Sequence, residues 1–136
     1  MENLALKVRI SVLWLFYAVT WPVAMLLFLL GPGGIEQVMS GEVEGTQITT
    51  GFLLFMSLFW LIPLIMAFLS VTLRDAANRW ANLILGIVVA AFEVLHMLGH
   101  LLQGQLTSLH LVSSVASIVV PALIAWYAWK WRKAEA

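Results

Sequence analysis

Four long apolar runs divide the chain, and its charged residues gather almost entirely between and beyond them. The runs extend from about Ile10 to Leu30, Phe52 to Leu73, Leu83 to Leu102 and Leu109 to Trp129. A helix needs about 20 apolar residues to cross ~30 Å of hydrocarbon, and each run reaches that length. None alternates with a period of two, and each is about twice as long as a barrel strand requires. In hydrocarbon the backbone must satisfy its own hydrogen bonds, so the runs are read as helices. Gly31-Pro32-Gly33-Gly34 closes the first run, and Gln103-Gly104-Gln105 closes the third. The expected fold is all-α: a single four-transmembrane-helix bundle over residues 1–136.

The basic residues predict its orientation. Lys7 and Arg9 precede the first span, Arg74 and Arg79 separate the second from the third, and Lys130, Arg132 and Lys133 follow the fourth. Together these are all seven Lys and Arg of the chain, and the other two loops hold none. The positive-inside rule then puts both termini and the 74–79 turn on the cytoplasmic side of a multi-pass cell-membrane protein. The first run is too long for a cleaved signal peptide, and no clear small-residue cleavage site follows it. The segment Trp126-Tyr127-Ala128-Trp129-Lys130-Trp131-Arg132 mixes aromatic and basic residues, and Trp80 starts the third span. Such residues favour the headgroup level, so membrane lipid is the first expected partner.

Composition changes the picture only by exclusion. Apolar residues make up 62% of the chain and charged residues 10%, against about 25% charged in a soluble domain. So few charges cannot cover a water-facing surface. A net charge of zero gives no basic face for nucleic acid. The absence of Cys excludes disulfides, thiolate ligands and thiol catalysis. The chain holds no G-x-S-x-G, Walker or H-E-x-x-H pattern, and no catalytic residues are assigned.

The chemistry-bearing residues lie on the third span. At 100° per residue, Glu93, His96 and His100 project within about 60° of one another. Gln103 edges the same stripe, and Gly86 and Ala90 continue it with small residues. This face is expected to meet protein, its small part allowing close helix approach or self-association. Glu93 is the only acidic residue inside a span, and placing it near the bilayer centre costs about 2.5–3.5 kcal/mol on insertion scales. The stripe opens toward the outer side, where His110 begins the fourth span. Candidate partners are Trp14, Tyr17 and Trp21 on the first span, Ser57, Trp60 and Pro63 on the second, and Ser113, Ser114, Ser117 and Pro121 on the fourth. Pro63 and Pro121 each free the carbonyl four residues earlier, which can open space at mid-bundle depth. Glu93, His96, His100, Tyr17 and Trp60 are therefore the candidate ligand-binding residues.

Three functions fit this face. The leading one is an accessory or binding protein whose polar intramembrane pocket takes a hydrophobic ligand, a cofactor or a partner subunit, within a larger membrane complex or a homo-oligomer. The alternative is a transition-metal or haem-like tetrapyrrole site on Glu93, His96 and His100, since imidazole and carboxylate suit such metals. The third is proton or solute transport, for which no titratable group continues the path toward the cytoplasm. Glu36, Glu42 and Glu44, in the long outer loop from Gly31 to Gly51, are read as solvated loop charges, with Ile35-Glu36-Gln37-Val38-Met39 forming a turn or two of helix. Asp75 is read as pairing with Arg74 or capping, and Asn78 and Asn82 as capping or bridging at the start of the third span.

The Arg74-to-Gly86 segment, with Ala77-Asn78-Arg79-Trp80-Ala81-Asn82, and the tail from Trp126 to Arg132 resemble a family of small bacterial four-helix membrane proteins of unknown function. The resemblance covers the whole chain and implies a four-span bacterial inner-membrane protein. It implies no activity.

Overall fold

The computed structural model describes residues 2–104 and 107–131. Arg132 and Lys133, two of the charges behind the expected topology, and Gln105 lie outside the described residues. Seven elements follow in order: α1 (Glu2–Leu30), α2 (Gly34–Met39), β1 (Glu42–Val43), β2 (Thr46–Gln47), α3 (Thr50–Thr72), α4 (Asp75–Leu102) and α5 (Ser108–Lys130). The fold is all-helical apart from the two-residue strands, and α1, α3, α4 and α5 are long and apolar enough to cross a membrane. Their outer faces are apolar all round, with Phe68, Leu95 and Val112 each about two-thirds exposed or more. Contiguous apolar surface on this scale is foreign to a water-soluble monomer.

The helices outrun the apolar runs. Only Leu73 and Arg74 separate α3 from α4, so the segment read as a turn over 74–79 is mostly the first turn of α4. Asp75 pairs with Lys7 of α1 at 2.6 Å, not with its neighbour Arg74. The Lys7 ammonium also donates to the Leu73 carbonyl at the end of α3 (2.9 Å). One cation thus meets both a helix C-terminus, where carbonyls lack partners, and an acid at the next N-terminus.

The helices form a ring in the order α3, α1, α5, α4, with α3 and α4 only loosely in contact. Aromatic rings fill that open side: Phe92 of α4 lies 4.7 Å from Phe59 and 6.2 Å from Phe55 of α3. The core runs through Ile10, Trp14, Tyr17, Met66, Val89 and Ile124. Trp131, read above as part of an interfacial belt, joins that core at 1% exposure, whereas Trp80, Trp126 and Trp129 do face outward. Lys130 sits 3.9 Å from the Trp126 ring centre.

Two local devices hold the ring. Pro22 lies inside α1 and has no N–H for the Ala18 carbonyl. The Trp60 indole of α3 donates to that carbonyl at 3.2 Å. Gly86 of α4 faces α5 so closely that a Cβ there would lie 2.9 Å from the Ala125 nitrogen and 3.0 Å from the Pro121 oxygen. Gly86 is therefore consumed within the fold and does not present the self-association surface expected of it.

Toward the end that carries the termini, a buried amide network ties three helices. Asn82 accepts from Trp14 Nε1 of α1 (2.6 Å) and Ser70 Oγ of α3 (3.1 Å). It donates to the side chain and the backbone carbonyl of Asn78 (2.6 and 2.8 Å). Asn78 in turn donates to the Ser70 carbonyl (2.5 Å). Asn78 and Asn82 are fully buried bridges, and neither caps α4.

Replacing Gly86 by Ala opposes two effects. Helix propensity favours Ala by about 1 kcal/mol, whereas forcing a methyl into packed backbone costs typically 1–3 kcal/mol. The backbone atoms of α5 cannot step aside as a flexible side chain would, so Gly86→Ala is expected to lower stability in detergent unfolding. A gain of about 1 kcal/mol would mean that α4 and α5 stand further apart.

Candidate functional site

Glu93 projects from the middle of α4 into the bundle and is 2% exposed. Its Oε1 accepts from the Tyr17 hydroxyl and from Trp21 Nε1, the latter at 2.9 Å. The α1 stripe at i, i+3 and i+7 supplies these donors: Trp14 serves Asn82, while Tyr17 and Trp21 serve Glu93. Trp60 is elsewhere. Its ring is 45% exposed on the outside of α3, where with Tyr17 and Pro22 it borders an apolar groove of about 290 Å³.

Glu93 also lines a cavity of about 80 Å³ between α1, α4 and α5, together with His96, Glu44, His110 and Ser117. That volume accommodates a few waters, since about 10–15 Å³ of such space holds one. A second void of about 260 Å³ adjoins it on the α3 side and shares Trp21, Glu44 and His96. A third void of about 440 Å³, bordered by Gly31, Gln37 and Thr107, shares Glu44 and His110 with the first.

The loop after α1 lines these voids through Val43, Glu44 and Thr46. Gly34 packs on the end of α1, where a Cβ would lie only 2.0 Å from the Phe28 oxygen. After α2, Glu42 pairs with Gln47 and Val43 with Thr46 in a hairpin. Its two turn residues, Glu44 and Gly45, both have positive φ, 50° and 77°. This is the type I′ geometry of tight hairpins, where Asn or Asp is usual before Gly. A left-handed non-glycine residue costs about 1–3 kcal/mol and persists where its surroundings hold it.

Here the surroundings are histidines. Glu44 Oε1 lies 2.6 Å from His110 Nε2, and Oε2 lies 3.4 Å from His100 Nε2. His100 Nε2 in turn lies 3.2 Å from His96 Nε2. His100 stacks on His110 with ring centres 4.8 Å apart and meets His96 edge-on at 4.7 Å. His96 also packs against Trp21 (5.4 Å) and lies parallel to Phe92. Ligand atoms of Glu44, His96 and His100 fall within 4.8 Å of one another.

The α4 stripe does bring His96 and His100 together, but the carboxylate that meets them is not Glu93. Glu93 is held by α1 donors, and Glu44 joins the two imidazoles. Glu44 is no solvated loop charge, since its side chain is only 26% exposed. His110 is held as well. Thr107 caps α5, accepting from the His110 backbone N–H, while its hydroxyl lies 2.7 Å from His110 Nδ1. The Thr107 N–H also points at Nδ1 from 3.4 Å. With Nδ1 accepting from Thr107, the proton of neutral His110 belongs on Nε2, directed at Glu44.

Glu93→Gln retains an oxygen for Tyr17 and Trp21, whereas Glu93→Leu strands both donors. Unfolding in detergent is expected to place the Leu variant about 1–3 kcal/mol below wild type and the Gln variant within about 1 kcal/mol of it. Equal stability of the Leu variant would mean that Glu93 holds no structural joint.

Neither a curated protein nor a solved structure matches the chain. A family profile does, over residues 3–136, and with nearly the whole length matched the chain belongs to DUF6326, a family of unknown function.

Proposed function

We propose that the protein is a multi-pass inner-membrane binding protein, with both termini and the α3–α4 turn cytoplasmic, which takes a small ligand, a cofactor or a partner's side chain in an intramembrane polar chamber opening outward. One observation carries the reading: a buried carboxylate, Glu93, lines a cavity shared with His96 and Glu44. An acid inside a membrane bundle is costly, and structural joints alone can be made with amides, as Asn78 and Asn82 do at the other end. The clustering of Lys7, Arg74, Arg79 and Lys130 at the termini end supports the orientation. The 80 Å³ void beside Glu93 suits an ion, water or a single side chain. Transport has less support, because the buried polar groups toward the termini are Asn78, Asn82 and Ser70, which do not titrate.

The native chain has no Cys, so single thiols report cleanly. Ser113 borders the chamber and is half-buried, whereas Ser70 is wholly buried near the other end. A membrane-impermeant thiol reagent added outside sealed cells is expected to label Ser113→Cys and to spare Ser70→Cys. Labelling of Ser113→Cys only from the cytoplasmic face would reverse the orientation. No labelling from either face would make the cavity a closed structural void.

A further inference from the structure

We propose that Glu44, His96 and His100 form a binding site for a divalent first-row transition ion, of the Zn²⁺ class, with His110 as its positioning residue. The inference deepens the binding-protein reading above and rests on it for the outward-facing chamber.

The donor set comes first. Two imidazoles and one carboxylate suit zinc and its neighbours, and three protein ligands with an open position are the usual form of a reactive or exchangeable zinc site. The spacing then agrees. Zn–N and Zn–O distances of about 2.0–2.2 Å in a tetrahedron place neighbouring ligand atoms roughly 3.3–3.6 Å apart. His100 Nε2 lies 3.2 Å from His96 Nε2 and 3.4 Å from Glu44 Oε2. These two edges are already near that value, and the third, between His96 and Glu44, is no longer than 4.8 Å, so side-chain adjustment along that edge brings the three onto one ion. Glu93 and His100 lie two turns apart on one helix, whereas the Glu44 carboxylate arrives from another element and meets His100 directly.

The supporting shell is also present. A ligating carboxylate is normally held by a further hydrogen bond, and losing such a partner typically costs 10–100-fold in affinity. Glu44 Oε1, the oxygen not facing His100, is the one within 2.6 Å of His110 Nε2. Thr107 fixes the His110 tautomer from behind. The left-handed backbone at Glu44 fits the same reading, since it turns a strained hairpin residue inward to the histidines. One support is lacking: His100 Nδ1 is buried without a partner among the described residues. The adjoining voids leave the fourth position for water or an incoming ligand.

The test is calorimetric titration of Zn²⁺ into full-length protein, purified in detergent without an affinity His-tag and stripped with chelator. Binding near one ion per chain is expected. Glu44→Gln and His96→Ala are expected to weaken it at least 100-fold, and His110→Ala by 10–100-fold. Glu36→Gln, on the exposed face of α2, is expected to leave it unchanged. Glu44→Gln lies on the loop after α1, so its folding is not in question if unfolding curves match wild type. Absence of saturable binding, or binding indifferent to Glu44→Gln and His96→Ala, overturns the site. Loss with Glu93→Gln but not with Glu44→Gln overturns the ligand assignment. If zinc fails to bind while outside reagent still labels Ser113→Cys, the metal inference falls and the outward chamber stands.

Discussion

A polar side chain facing the interior of a membrane-sized bundle must find its partner within the protein, and the Tyr17–Glu93–Trp21 joint is where this constraint shapes the molecule most. The backbones of α1 and α4 have little direct contact, because they lie across the ring from one another. Long side chains bridge them instead. Tyr17 and Trp21 reach Glu93 near mid-bundle, and Trp14 reaches Asn82 nearer the termini. Both joints use the same stripe of α1, so its three aromatic residues set the rotation of the helix. The remaining packing follows from that rotation. α5 closes against Gly86, and phenylalanines fill the loose side between α3 and α4.

These joints also explain what the cavity is made of. The shared oxygen of Glu93 is saturated by two α1 donors, which fixes the side chain without filling the space beside it. His96, packed on Trp21, is placed at the border of the two voids by the same aromatic residues. The end toward the termini is different in kind. There Asn78, Asn82 and Ser70 bond to one another, whereas Glu93, His96 and Glu44 border a space.

Much of the architecture was legible in the chain. Run length alone gives four helices, and the stripe of Glu93, His96 and His100 is a matter of helical geometry. Tyr17 could be named as a partner because its spacing from Trp14 and Trp21 repeats on one face. Other features were not legible, for different reasons. The bridge between Asn78 and Asn82 was expected from their one-turn spacing, but its burial against Trp14 and Ser70 was not, since Arg74, Asp75 and Arg79 make the stretch read as a turn although α4 begins at Asp75. Pro22 gave no sign that Trp60 would take up the carbonyl it frees, because that bond spans 42 residues. Glu44 lies 66 residues from His110, and no periodicity connects a loop to a helix face. Its local signal was Glu-Gly, a weak variant of the Asn-Gly and Asp-Gly hairpin turns. The capping of α5 was equally hidden, since Thr107 and His110 do not match the usual Ser/Thr-x-x-Glu pattern.

The loop therefore carries the decisive residue: its carboxylate, and not the buried one on α4, completes the histidine cluster. An anomalous-difference map recorded at the zinc edge, from crystals of the full chain grown with Zn²⁺, tests this most directly. One peak is expected about 2.0–2.2 Å from His96 Nε2, His100 Nε2 and a Glu44 oxygen, with Glu93 still held by Tyr17 and Trp21. A peak bound by Glu93, or a hairpin with Glu44 turned to solvent and no peak at the histidines, would contradict it.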